Sequence, residues 1–282
     1  MTTTPAYDLL RCPVCARRGE PAARLQVQDS QVVCSHRHSF NIARQGYLSL
    51  LSGPAPTSGD STDMVLARDR FLASGAYAPL KDSLAEVVAA LPHTHLLDVG
   101  CGTGYYLGGL METLKPPKVG LGFDTATRAV RLAARAHPNI TAFTWDVFRD
   151  FPLLDSTIDV VLDVFSPRNG AEFHRVLSPG GHTVVVTPEP QHLQELRAST
   201  DMVGIDPNKD ERLSRALHMF ESVGESVVSY DCALTPDLAR DLIFMTPSAR
   251  HLSTETVTDS QLPTSATVAV KISVWRKPTT QQ

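Results

Sequence analysis

Apolar and polar positions along this chain change period twice. Between residues 63 and 91 they repeat at helical spacing. Asp63–Gly75 predicts one helix, with Ser61, Thr62 or Asp63 as its N-cap. Pro79–Leu91 predicts a second, whose Leu80, Leu84, Val87, Val88 and Leu91 share one face before Pro92 ends it. From residue 95 short apolar runs alternate with helical patterns, and the runs predict strands at His95–Val99, Lys118–Phe123, Ile140–Trp145, Ile158–Phe165 and His182–Thr187. Such alternation builds right-handed βαβ units and a parallel sheet covered on both faces. The pattern then changes again. Ser226–Ala233, a helix near Pro236–Met245 and the strictly alternating Thr267–Trp275 predict a closing antiparallel edge. Ahead of the body, residues 20–33 predict a short hairpin turning at Asp29 and Ser30, and GPAPTSGDST (53–62) reads as a linker. The division that follows is a small module over 1–52, a linker and helices over 53–92, and an α/β body over 93–282.

Composition narrows the class. A chain of 282 residues with 42% hydrophobic and 20% charged residues is that of an ordinary soluble globule. No apolar run approaches a bilayer span and the N-terminus lacks a basic–apolar signal pattern, so a cytoplasmic location without membrane contact is expected. In a reducing compartment, five cysteines, three of them within the first 34 residues, argue for metal rather than disulfides. The overall charge of −4 does not advertise a nucleic-acid binder, but residues 1–50 carry six Arg against Asp8, Glu20 and Asp29, a balance of +3. A small basic module on an acidic body fits a cofactor domain with an anion-recognising attachment.

The chemistry concentrates in two places. Cys12 and Cys15 form a CxxC, and Cys34 with His38 forms a CxxxH, two ligand pairs on separate turns as a tetrahedral structural zinc requires. His36 competes for the fourth place, and the longer spacer favours His38. A module this small would take most of its folding free energy from the metal. The second place is HLLDVGCGTGYY (95–106), a strand running into a turn with Gly100, Gly102 and Gly104 and then a helix predicted at Thr103–Leu114. Backbone N–H groups and the positive end of a helix dipole there suit a nucleoside cofactor. The next strand ends in Asp124, 24 residues past Gly100, placed to accept from ribose hydroxyls. Three details favour S-adenosylmethionine over a nicotinamide dinucleotide. Asp98 precedes the first glycine and could meet the methionine end. Asp146, flanked by Trp145 and Val147, could accept from the adenine amino group. Leu177-Ser-Pro-Gly-Gly181 makes a tight turn into a fifth strand. Cys101 has no base beside it and reads as a space-filler. Arg128, Arg131 and Arg135 share a helix face that reads as solvated.

D-x-G-x-G-x-G, the two later acids and L-x-P-G-G together resemble the class I S-adenosylmethionine-dependent methyltransferases. That resemblance implies a Rossmann-like, seven-stranded, mostly parallel sheet. CPVC…CSHRH, FNIARQGYLSLL, GDSTDMVLARDRFLASGAYAPL, VFSPRN and TPEPQHLQEL extend the likeness. Over nearly the whole chain it is similar to the bacterial 23S rRNA (guanine-N1)-methyltransferases, some of which protect producers of tylosin-type macrolides. The resemblance implies Cys12, Cys15, Cys34 and His38 as zinc ligands, and Tyr77, Gly102, Thr103 and His192 lining the cofactor site beside Gly100 and Gly104. It also implies a hairpin loop in domain II of 23S rRNA as substrate, and a homodimer. After Met245-Thr246-Pro247 the family's aromatic segment is replaced by Ser248-Ala249-Arg250-His251.

Methyl transfer to guanine N1 needs in-line placement rather than a covalent intermediate. Asp163, at the end of the fourth strand, is the candidate acceptor for the N1 proton, and Phe165 the candidate stacking surface for the base. A small-molecule methyltransferase of an antibiotic pathway, or a non-catalytic cofactor-binding RNA-binding protein, would use many of the same residues.

Overall fold

The computed structural model describes residues 6–53, 59–115, 119–252 and 258–279. The N-terminal segment holds α1 (Pro13–Arg17), β1 (Gln26–Gln28), β2 (Gln31–Val33), β3 (Ser39–Asn41) and β4 (Leu48–Ser49). Two helices follow, α2 (Thr62–Ala73) and α3 (Ala78–Ala89). The body then runs β5 (His95–Val99), α4 (Tyr105–Thr113), β6 (Val119–Asp124), α5 (Thr127–Ala136), β7 (Ile140–Thr144), β8 (Ile158–Val164), α6 (Gly170–Val176) and β9 (Leu177–Pro188). It closes with α7 (Gln194–Ser199), α8 (Lys209–Ala216), β10 (Glu221–Ala233), α9 (Pro236–Phe244) and β11 (Ser265–Arg276).

The large sheet has the order β10-β11-β9-β8-β5-β6-β7-β4. β5 to β9 pair in parallel, and β11 lies antiparallel to both β9 and β10. Seven of its strands, β5 to β11, are the expected mostly parallel sheet, with β10 and β11 the antiparallel close. The eighth is β4, from the N-terminal segment, which pairs in parallel with β7 at Leu48↔Phe143 and Ser49↔Thr144. Lys118, expected to open the second strand, lies outside the described residues, as does 54–58 of the linker. The hairpin turn at Asp29 and Ser30 joins β1 to β2 as expected. Ser61 is the N-cap of α2, its Oγ accepting the Met64 N–H at 3.2 Å. One expected helix start moves. α4 begins at Tyr105 rather than Thr103, because the backbone is still left-handed at Gly104.

Side chains alternate across the sheet, so each face has its own core. On one face Leu96, Val160, Leu162, Val184 and Val186 pack with Phe71, Leu84, Leu107, Val130 and Leu242 from the helices. On the other, Leu97, Leu121, Phe123 and Phe143 share a cluster with Phe173 and with Leu10, Leu25, Val32 and Leu48 of the N-terminal segment. Hydrogen bonds stitch the same seam: Arg11 N–H to Pro152 O at 3.1 Å and Leu154 N–H to Leu9 O at 3.0 Å. The metal-binding segment is therefore a wall of the body's second core. Arg128, Arg131 and Arg135 are exposed on α5, as their spacing suggested.

Candidate cofactor site and metal centre

After β5 the chain turns through Gly100 (φ +67°), Gly102 (φ +52°) and Gly104 (φ +79°), values that L side chains rarely adopt. A Cβ on Gly100 would sit 2.7 Å from Ser166 Oγ, and one on Gly104 2.7 Å from the Ala133 Cα. Gly102 is different: a Cβ there would make only ordinary contact, with Arg68, whose Cδ would be 3.6 Å away. Asp124 holds the turn from the neighbouring strand, accepting the Gly102 N–H at 3.1 Å and the Ala126 N–H at 2.8 Å. Thr103 is buried beside it, and Cys101 is buried with its thiol pushed well up by desolvation, an inert filler.

Three carboxyl groups gather at the C-terminal ends of β5, β6 and β8. Asp98 is 2% exposed and Asp163 0%, and Asp124 ends β6, on the side of β5 opposite β8. Burial raises all three above the ordinary carboxylate range. Asp98 is raised further by the charges of Asp124 and Asp163. Asp163 is pushed up to about 7, against the pull of Arg168, whose Nε lies 2.9 Å from Oδ2. Its Oδ1 accepts the Ser166 N–H at 3.2 Å. Mutually repelling carboxyls beside a glycine turn are stabilised by a cation. A ligand carrying a sulfonium, an ammonium and a ribose fits that charge.

The other expected site residues fall around this centre. Asp146 follows β7; its Oδ1 accepts the Phe148 N–H at 3.0 Å, and Arg149 lies 3.7 Å from Oδ2. Val147 is buried and its carbonyl accepts from Asn169 Nδ2 at 2.9 Å. Phe165 sits just past β8 with φ +56°, a strained conformation for a bulky residue, and is 42% exposed. Its ring stacks on His192 at 5.8 Å between centroids and 27° between planes. His192 Nδ1 accepts the Ala269 N–H at 3.2 Å, which leaves its proton on Nε2, and burial lowers its pKa to about 4. It is therefore a neutral donor at physiological pH. Tyr77 lies deep in the first core, edge-on to Phe71 at 5.0 Å, with Tyr230 and Cys232 the ionisable groups against it. The structure thus brings Asp98, the three glycines, Thr103, Asp124 and Asp163 together, pairs Phe165 with His192 on the rim, and sets Tyr77 in the packing behind.

The metal centre closes as the spacing suggested. Donor atoms of Cys12, Cys15, Cys34 and His38 all lie within 4.8 Å of one another. Cys15 Sγ is 3.8 Å from Cys34 Sγ, and His38 Nδ1 lies 3.6, 3.3 and 3.5 Å from the sulfurs of Cys12, Cys15 and Cys34. A zinc tetrahedron with ordinary bond lengths has S···S edges of about 3.8 Å and S···N edges of about 3.5 Å, so the donor set fits that ion. His36, the rival ligand, stands beside it: its Nδ1 is 3.1 Å from Glu20 and 3.2 Å from Cys15.

Known proteins share both parts. Residues 10–55 match the family model described as RlmA, N-terminal, and residues 96–181 that of a methyltransferase domain. A protein of Micromonospora griseorubida named as a 23S rRNA (guanine-N1)-methyltransferase is 38% identical over 95% of this chain and 97% of its own. The 23S rRNA (guanine(748)-N1)-methyltransferase of Streptomyces fradiae is 39% identical over 86% of each. This chain belongs to the 23S rRNA (guanine-N1)-methyltransferase family. Among solved structures, a SAM-dependent methyltransferase from Aquifex aeolicus is 14% identical with a TM-score of 0.49, over 77% of this chain and all of that one.

For a member of this family, sequence reasoning gave no role to Asp60, Arg68, Ser166 or Arg168, although it set Arg168 beside Phe165 at the ligand-binding end of the fourth strand. Asp60 and Arg68 form an ion pair beside Gly102, and Arg168 and Ser166 clasp Asp163. Arg68 sits in a helix whose periodicity marks it as a surface residue. Only the fold shows that the surface in question faces the glycine turn.

Proposed function

We propose that this protein transfers a methyl group to N1 of a guanine in a domain II hairpin loop of 23S rRNA, at nucleotide 748 or 745. The observation that carries the reading is the juxtaposition, at the C-terminal ends of β5, β6 and β8, of buried Asp98 and Asp163 and half-buried Asp124 at a glycine turn with the Phe165–His192 stack on its rim. Bound S-adenosylmethionine supplies a methyl group already activated on sulfur. Asp98 meets its methionine end and Asp124 its ribose. Asp146 accepts from the adenine amino group, with Val147 against the ring. Gly102 and Thr103 offer backbone, and His192 and Tyr77 complete the surround. Guanine N1 lies on the Watson–Crick edge, so the base must come from a loop or leave its stack. Phe165 offers the exposed ring against which it rests. The basic N-terminal segment holds the RNA backbone. At its seam with the body, Arg17 and Arg149 line a cavity of about 240 Å³ together with Trp145. A homodimer and a cytoplasmic site of action belong to the same reading, as does protection of the host against tylosin-type macrolides.

Primer extension tests it, because N1-methylguanine blocks pairing. Incubation of purified protein and S-adenosylmethionine with a domain II hairpin should give one new reverse-transcriptase stop at a guanine. No stop, with labelled methyl recovered in a macrolide instead, points to the small-molecule enzyme. No transfer at all points to the RNA-binding protein.

Asp163 carries a second expectation. Fully buried and clasped by Arg168, it holds the loop bearing Phe165, and it can do so only when ionised. With its pKa near 7, the ion pair is lost as pH falls below that value and present above it. Turnover by the wild type should therefore rise with pH through about 7. Asp163→Asn should be slower by about 10-fold or more and lack that rise. A variant keeping the wild-type inflection would assign the titration to another group.

A further inference from the structure

The glycine turn has a cation over it that none of the site residues above accounts for. Arg68, on the second turn of α2, reaches across so that its Cδ and Nη1 lie 3.6 and 3.7 Å from where a Gly102 side chain would begin. Its guanidinium is held in that place from two sides. Nη1 is ion-paired with Asp60, and Nη2 donates to the Met245 carbonyl at 2.6 Å. Asp60 and Arg68 are also the two charged side chains outside the turn that bear on the Asp124 carboxyl, the first raising and the second lowering its pKa. Arg68 is only 24% exposed at its side chain, so it is a fixed group rather than a waving surface arginine. These two contacts use part of the guanidinium fork and leave other N–H donors, Nε–H among them, for another acceptor.

An amino-acid ligand has two charged ends on one carbon. Asp98, buried at the end of β5, is suited to an ammonium, and a carboxylate in the same pocket would be repelled by Asp98, Asp124 and Asp163 unless a cation met it. Arg68 is the cation at the turn, with the planar geometry that matches a carboxylate. We propose that Arg68 is the specificity-determining residue for the α-carboxylate of the cofactor's methionine moiety. The pair Asp98 and Arg68 then reads the zwitterion, and nucleosides lacking the amino-acid tail are rejected. This rests on the reading of S-adenosylmethionine as cofactor.

Calorimetric titration of the full chain with S-adenosylhomocysteine and with 5′-methylthioadenosine, which has no amino-acid tail, tests the assignment. In Arg68→Gln, which keeps the stem over Gly102, affinity for S-adenosylhomocysteine should fall about 10- to 100-fold while affinity for methylthioadenosine stays within about two-fold. Arg68→Lys should restore part of the difference. Equal losses for both ligands, or no loss for either, overturns the assignment. In the wild type, the carboxamide of S-adenosylhomocysteine should bind about 10-fold or more weaker than the acid, a comparison that needs no variant; equal affinity again overturns it. Failure of the wild type to bind either nucleoside would reject the cofactor reading itself, a result distinct from both.

Discussion

Cys15→Ser is expected to release the metal, unfold the N-terminal ribbon and abolish methylation of RNA. Cys15 is central to the cluster, with its sulfur within 3.8 Å of Cys34 and within 3.3 Å of both His36 and His38. A serine hydroxyl is a far poorer ligand for zinc than a thiolate, and the ribbon's own strands are too short to hold without the ion. The effect should not stop at the ribbon. Leu10, Leu25, Val32 and Leu48 close the core over Leu121, Phe123 and Phe143, and β4 adds its two residues to the edge of β7. Losing the ribbon therefore uncovers one face of the large sheet. We expect global stability to fall by more than about 4 kcal/mol, roughly 10 °C in Tm for a chain of this length. Zinc content by atomic absorption and a thermal melt in the presence and absence of chelator check this. Cofactor binding should survive at low temperature, since the glycine turn lies on the β5–α4 side. A variant that keeps its zinc and melts with the wild type would mean that the four donors do not form the centre.

That coupling is the part of the architecture the residue pattern concealed. FNIARQGYLSLL contains buried Leu48 and Leu50 around exposed Ser49, a strand alternation, but it is too short to stand out without the β7 edge that completes it. The parallel strands were readable as apolar runs, and β5, β6 and β8 more so because each carries a chemical residue at or next to its end, Asp98, Asp124 and Asp163. Their ends shifted by a residue or so, and β9 began earlier than expected. Leu177-Ser-Pro-Gly-Gly181 reads as a turn from its glycines, yet Leu177 already pairs with Ile158, and the irregularity is absorbed as a register shift before Val160. The clustered donors Cys12, Cys15, Cys34 and His38 were legible from spacing, because two short-range pairs leave only His36 or His38 open at the fourth place. Arg68 and Arg168 were not. Each acts on a group far away in the chain or across a loop, and no local period encodes which distant surface a helix will face. Phe165 lies between these cases. Its position after an apolar strand was visible, whereas its left-handed backbone and its stack on His192 required the fold.

Asp124→Ala should weaken binding of S-adenosylmethionine by about 2–3 kcal/mol, roughly 30- to 150-fold in Kd. Two losses combine. The ribose hydroxyls lose a charged acceptor, and the Gly102 and Ala126 N–H groups, at 3.1 and 2.8 Å, lose the carboxylate that fixes the turn around them. Asp124→Asn separates the two, since its amide oxygen can still accept from one backbone N–H while the charge is gone. It should fall between wild type and alanine. The electrostatics give an independent check. Asp98, Asp124 and Asp163 all carry raised pKa values, with burial the first cause in each, so part of this cluster is protonated near neutral pH. A cationic ligand favours their charged forms and must expel protons on binding. Affinity should therefore increase as pH rises through about 7, where Asp163 titrates, and the heat of binding should depend on the buffer's ionisation enthalpy. In Asp124→Asn the neighbours feel one repelling charge fewer, so Asp98 ionises more readily and fewer protons are released. Calorimetry in two buffers of different ionisation enthalpy measures this count directly. Proton uptake on binding, or a count unchanged by Asp124→Asn, would contradict the picture of a carboxyl cluster that the cofactor's positive charge completes.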